Sequence, residues 1–354
     1  MAIKPLKITL EETFKTIKKY QKGEILQIKT NRPWLDCHGG ITPKSFLTIT
    51  GASFGGKSTE LESLKKDIMS VDINPNAKNF VWLSNAFEMS NFATTIRDLR
   101  NILNKGKGSI LSEEFTQEER KLVEKYYLDL TDGRFFLNQV PQDSKGFVNS
   151  VKSFLEQHKD KELVVLDLDH IGLVRSYNGQ KKTAIDEVIE GLNELKNEYE
   201  NFLVVILSQL NRSILSRIAE KSNEAAVRRD DLFQSDTIYH ISDYLYALQN
   251  ANYLNIEQYR KVNPDRYPHL AHRFTEQDKK GKVSLYTEGC IFVEILKDRD
   301  AEIGYTDIYT IEIKDFKKPE DSEQFPPIPE FEDPFKGLKP IDTTKAFDED
   351  DNPF

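Results

Sequence analysis

Residues 51–58 read GASFGGKS and fill every fixed position of G-x-x-x-x-G-K-[ST]. That pattern decides the fold, because it marks a strand that turns sharply into a helix around a chain of phosphates. Polyphosphate needs backbone N–H donors at close range, and only glycine lets the backbone come that near. Gly51, Gly55 and Gly56 supply the bare backbone, with Ser53 and Thr59 beside them. Lys57 offers one mobile ammonium for the β- and γ-phosphates, and Ser58 a hydroxyl for Mg²⁺. The flanks agree: KSFLTIT (44–50) is a short β-rich run, and STELESLKKDIM (58–69) has helical periodicity. A plain glycine turn is the alternative. The full pattern between a strand and a helix favours a nucleotide, ATP or another NTP.

The chain has 354 residues, of which 30% are charged and 38% hydrophobic, an ordinary balance for a globular protein. No apolar run approaches the roughly 20 residues that span a bilayer. The opening MAIKPLKITLEET has no apolar signal core, so a cytoplasmic protein with no membrane partner is expected. Cys37 and Cys290 are the only cysteines, which gives neither a disulfide framework nor a zinc ligand set. His269 and His272 stand three apart with no Cys or second His pair near. The net charge is −9, but −6 of it falls in the last 39 residues. The body therefore has room for a local basic channel.

Three regions are expected. Residues 1–29 carry a short amphipathic helix at 8–23, where Leu10, Phe14, Ile17 and Tyr20 recur at helical spacing. Residues 30–315 alternate apolar runs with helical patterns, the mark of βαβ units and a central, mostly parallel sheet flanked by helices. Strands are predicted at 45–50, 79–84, 134–138, 163–167, 202–207, 243–248, 290–296 and 306–313. Residues 316–354 hold seven of the fourteen prolines and read as a disordered acidic tail. Two polar stretches, 209–233 and 250–288, read as inserted loops.

Other residues complete the chemistry that a phosphate cradle needs. ELVVLDLDHIG (162–172) reads as a continuous apolar strand ending in Asp167, which would emerge at the sheet's C-terminal edge as a second carboxylate for the metal; a plain capping Asp is the alternative. FVWLSNAFEMS (80–90) is a strand followed by Glu88, which could orient water; a Glu in this place is more often a helix first-turn residue. LVVILSQLNRS (203–213) ends in Gln209, a candidate phosphate sensor or simply a surface-facing strand end. FVEILKDRDAEIG (292–304) carries Lys297 and Arg299, which share a side of an extended segment and could complete a neighbour's site. Arg212, Arg217, Lys221, Arg228 and Arg229 make the polar loop after Gln209 a candidate path for single-stranded DNA.

Together these stretches resemble the RecA-fold ATPase domain of DnaB-type replicative helicases, over roughly residues 8–315 and in chain order. RPWLDCHGGITPKSFLTITGASFGGKS is similar to that family's lead-in and cradle, and AFEMS to its SLEM motif. VVLDLDHIG corresponds to its Walker B strand, and LSQLNRS matches its SQLNR motif letter for letter. RRDDLFQSDTIYHISD and KDRDAEIG resemble its DNA-side segment and its finger strand. The resemblance implies that Lys57 and Ser58 bind NTP and Mg²⁺, Asp167 orders Mg²⁺, Glu88 activates water and Gln209 senses phosphate. It implies that Lys297 and Arg299 act in trans in a ring, most simply a hexamer, and that the helix at 8–23 docks on a neighbour. It further implies an ATP-dependent helicase that translocates on single-stranded DNA during replication. A RecA-fold ATPase that does not unwind, such as a recombination mediator or remodelling ring, is the alternative, and a non-catalytic scaffold is a third class.

The chain departs from the family in three ways. About 30 residues precede the ATPase where the family carries a further domain. Asp169-His170 replaces the usual Leu-Gln, and 250–288 is longer than expected. The end, AFDEDDNPF (346–354), resembles the acidic tip of bacterial single-stranded-DNA-binding proteins. Such a tip would place Phe354 in an apolar pocket of a replication partner. A compact helicase with this tail suggests a phage or mobile element acting in a bacterial host's cytoplasm.

Overall fold

All seven residues of β1, Ser45–Gly51, are buried, because both faces of the sheet they centre are covered. The computed structural model describes residues 6–53, 55–86, 95–96, 99–100, 102–103, 105–130, 133–138, 143–169, 181–211, 213–220, 226–232, 236–254, 256, 258–299 and 307–312. All of these lie in the unit Met1–Ile313. The acidic tail, and with it Phe354, lies outside the described residues.

Eight strands form one sheet. β2 is Phe80–Ala86, β3 Phe135–Asn138, β4 Leu163–Asp169, β5 Phe202–Gln209, β6 Tyr244–Asn250, β9 Cys290–Asp298 and β10 Ile308–Glu312. Their order is β10-β9-β6-β1-β5-β4-β2-β3. β1 to β6 run parallel, whereas β9 pairs antiparallel with both β6 and β10. This is the RecA-like α/β arrangement expected, with all eight predicted strands in it.

Alternation along the strands feeds two cores. Leu47 and Ile49 face a core shared with Trp34, Leu35 and the helix Lys57–Met69 through Leu61, Leu64 and Ile68. Phe46 faces the other side, where Val164, Val204 and Ile206 pack on Phe147, Val151, Val188 and Leu192 of the helices Ser144–Gln157 and Lys181–Glu198. A third core was not foreseen. The stretch 250–288 contains its own two-stranded antiparallel sheet, β7 (Gln258–Val262) with β8 (Val283–Tyr286). Tyr259, Val262 and Leu285 of that sheet pack with Ile214, Val227 and Leu232 of the preceding polar segment. The two stretches read as loops therefore share one apolar interior on β6 and β9.

The first helix, Leu6–Gln21, covers the predicted 8–23 and shows its apolar stripe to solvent: Leu10 is 48% exposed, Phe14 62% and Ile17 44%.

Candidate active site

β1 ends in the cradle. Gly51 stands in register with Gln209 on β5 and with Leu248 on β6. A Cβ at Gly51 would meet the Leu248 carbonyl oxygen at 2.5 Å, and one at Gly55 would meet Ala52 O at 2.9 Å and Leu248 O at 3.1 Å. Gly56 has φ +95°, a left-handed conformation that side chains resist, and it caps the helix Lys57–Met69. The backbone thus leaves a hollow at a helix N-terminus that only glycine keeps open, and this fits a polyphosphate. The Lys57 Nζ donates to Gly51 O and Ala52 O, both at 2.8 Å, which holds the ammonium over the loop. Ser53, Ser58 and Thr59 lie on the same turn, and Gln209 reaches its edge from β5.

Asp167 is buried (1% exposed) and sits deeper than the strand's last residue. It pairs in register with Ser84 and Val205, and Val205 in turn with Leu47, so it lies level with the middle of β1. Asp169 is the acidic residue at the end of β4. The Trp82 Nε1 and the Ser84 Oγ donate to Asp167 Oδ2, the latter at 2.6 Å, and Lys65 Nζ lies 3.8 Å away. Asn85 Nδ2 donates to the Asp167 carbonyl at 3.0 Å. Glu88 follows β2 by two residues and lies outside the described residues, as do Arg212 and Lys221.

Lys297 and Arg299 lie at the other end of the sheet. Gly51 is level with Leu248 and hence Val293, whereas Lys297 pairs with Leu245 at the start of β6. Three residues of β6, and four of β9 across a bulge, separate the two levels, about 10–13 Å at the usual rise. Lys297 Nζ donates to Tyr239 O at 2.6 Å and His240 O at 2.9 Å. Burial, then the neighbouring Arg299 charge, lowers the Lys297 ammonium to a pKa of about 8. Arg299 pairs with Asp243 Oδ1 at 2.5 Å, and the same carboxylate accepts from Lys196 Nζ at 3.0 Å and Phe46 N at 2.7 Å. Asp243 is the organiser that sequence reading missed, since its partners Arg299, Lys196 and Phe46 come from three separate segments.

The model of the DnaB-like helicase C terminal domain matches residues 28–317. The chain belongs to that family. Two solved structures share the fold. The "ATPase Domain of G40P" has 15% sequence identity, a TM-score of 0.61, and covers 87% of this chain and 95% of its own. A DnaB-like replicative helicase, solved with attention to its interactions with primase, has 15% identity, a TM-score of 0.58, and covers 85% of this chain but 63% of its own. No curated protein matches the sequence. As a DnaB-like helicase domain, the chain is an NTP-hydrolysing enzyme.

The basic residues of this DnaB-like domain divide into two kinds. The Arg217 guanidinium is spent on Asp231, with Nη1 to Oδ1 at 2.7 Å and Nη2 to Oδ2 at 2.6 Å, and it also donates to Ala226 O. Arg228 and Arg229 are exposed, and Arg229 lies 4.5 Å from the Tyr239 ring centroid, whose ring Lys297 also approaches at 5.1 Å. Val227 N donates at 3.0 Å to Glu294, a carboxylate 3% exposed whose pKa burial pushes up. The segment 226–232 is therefore fixed to β9 at one point and to Arg217 at another. The lead-in is fixed as well. Arg32, 5% exposed, pairs with Glu60 on the cradle helix at 2.9 Å, and Tyr246 Oη donates to the same Glu60 at 3.0 Å. No helix among the described residues is long and apolar enough to cross a membrane.

Proposed function

We propose that this chain is a ring-forming, NTP-driven helicase motor that moves along single-stranded DNA in the cytoplasm during DNA replication. The observation that carries it is the split of the site. The cradle and the Lys297/Arg299 pair sit at opposite edges of one sheet, and the Tyr239 and His240 carbonyls and Asp243 hold the pair there, which favours its serving a neighbour's cradle. A ring, most simply a hexamer, joins the cradle of one copy to the cation pair of the next.

Within each site, Gly51, Ser53, Gly55, Gly56, Lys57, Ser58 and Thr59 hold the phosphates of ATP or another NTP. Ser58 holds Mg²⁺ with a carboxylate from β4, for which Asp167 is the candidate from sequence and Asp169, at the strand's end, lies nearer the level of the cradle; the ion, when bound, would neutralise charge developing on the terminal phosphoryl group. Glu88 orients water, Gln209 senses the phosphates, and Lys297 and Arg299 stabilise charge from the neighbour. DNA phosphates meet Arg212, Lys221, Arg228 and Arg229, while Arg217 holds the loop that presents them. The tip ending in Phe354 docks on a replication partner.

The test measures NTP turnover with and without a single-stranded oligonucleotide, and strand separation on a forked duplex. Stimulation together with separation supports the motor, and Lys57→Ala should abolish both. Stimulation without separation would favour a RecA-fold DNA-dependent ATPase that does not unwind. Turnover indifferent to DNA would sink the DNA-motor reading.

A further inference from the structure

A second cluster of ligating atoms lies away from the cradle. Cys37 and His38 follow the short helix Pro33–Asp36, and Asp298 ends β9. Their ligand atoms, one thiol sulfur, one imidazole nitrogen and one carboxylate oxygen, all lie within 4.8 Å of one another. His38 Nε2 stands 3.7 Å from Asp298 Oδ2, beyond hydrogen-bond reach. Two ligands at zinc distances around a tetrahedron stand about 3.4 Å apart, so this gap suits a shared cation better than a direct bond.

The turn that presents Cys37 and His38 is built firmly. Cys37 N donates to Pro33 O at 3.1 Å and Gly39 N to Asp36 O at 3.0 Å. The Asp36 carboxylate in turn accepts from Thr30 N and Thr30 Oγ1, both at 3.0 Å. Gly40 has φ +105°, and a Cβ there would meet Ile28 O at 2.4 Å. The partner side is equally fixed, since the Asp298 side chain is 3% exposed. A carboxylate so far from water favours a cation beside it.

We infer that Cys37, His38 and Asp298 form a site for a zinc-class divalent cation, with a fourth position for water. Thiolate and imidazole select such a metal over Mg²⁺, which prefers six oxygens. Binding releases the thiol proton to solvent and leaves a metal–sulfur bond, with no change of oxidation state. The cation ties the lead-in turn to the residue between Lys297 and Arg299. Only that consequence rests on the motor reading; the site itself does not.

Co²⁺ added to the full chain is the probe. The expected result is a thiolate-to-cobalt charge-transfer band that saturates at one ion per chain, is removed by Zn²⁺ and survives excess Mg²⁺. Cys37→Ser should abolish the band. His38→Ala and Asp298→Asn should each weaken Co²⁺ binding by more than ~10-fold, the lower range for a supporting partner of a metal ligand. Absence of the band in the wild-type chain overturns the inference. So does a band that persists in Cys37→Ser, which would assign it to Cys290. Unchanged affinity in both His38→Ala and Asp298→Asn also overturns it, leaving a lone thiol. Far-ultraviolet circular dichroism checks that each variant folds, and if Asp298→Asn does not, the two exposed positions carry the test. No arm reads hydrolysis, so failure of the motor reading leaves this result standing.

Discussion

At the scale of single residues, what matters is which charges are already spent. Arg299 is half exposed, with its side chain at 51%, yet it is poised by Asp243 and the His240 carbonyl. That arrangement suits a cation held ready for a neighbour. Arg299→Ala should bind nucleotide as the wild type does and hydrolyse it roughly 10³-fold more slowly, as for the loss of a trans arginine. Equal turnover in a single-turnover assay would make Arg299 a surface residue. Arg217 differs from its neighbours in sequence because its guanidinium is taken by Asp231, itself 2% exposed. Arg217→Ala leaves that carboxylate with the Arg228 backbone N–H but without its cation, and should cost about 1–3 kcal/mol in denaturant unfolding. The double change Arg228→Ala, Arg229→Ala should cost less in unfolding than Arg217→Ala and flatten the salt dependence of single-stranded DNA affinity. If the double variant unfolds early and keeps its salt slope, the two roles have been exchanged.

Among the elements, the helix Leu6–Gln21 has the clearest unmet need. Leu10, Phe14 and Ile17 form an apolar stripe at helical spacing that no described residue covers. Replacing Leu10 and Phe14 with Ser should leave the melting temperature intact and shift the assembly toward smaller species in light scattering. A large loss of thermal stability with unchanged assembly size would mean that the stripe packs within its own chain. The same scale shows what the sequence discloses. Buried parallel strands are short apolar runs with turn signals at each end, so all eight strands of the main sheet were legible. β7 was not, because Gln258–Val262 buries only Tyr259 and Val262 among polar residues. The cradle was legible because its chemistry is local, a run of consecutive residues. Asp243 with Arg299, Arg32 with Glu60, and Cys37 with Asp298 were not, because each pair joins distant segments and no periodicity announces it. Asp167 was legible as a buried strand carboxylate; its depth, level with Leu47, is a matter of register, and register between non-consecutive strands is set by tertiary packing.

For the whole molecule, the acidic tail carries a test of its own. Deleting 346–354 should leave basal hydrolysis unchanged and remove capture of a replication protein that recognises single-stranded-DNA-binding-protein tips. Phe354→Ala alone should do most of that damage, since the apolar anchor supplies affinity while the aspartates speed encounter. Anisotropy of the free peptide AFDEDDNPF against its Phe-less form gives the readout, and equal binding by both would reduce the tail to a solubilising charge. The sheet itself has a consequence for how activity scales with the amount of protein. In the proposed ring, each chain lends the cradle to one site and the cation pair to the next, from opposite edges of the β9–β6–β1 layer. Isolated chains then own no working site, and an open line of chains always has one site fewer than it has members; only closure makes the two numbers equal. Specific activity is therefore a property of concentration: it should vanish on dilution, climb more steeply than linearly as chains associate, and level off where the last gap closes.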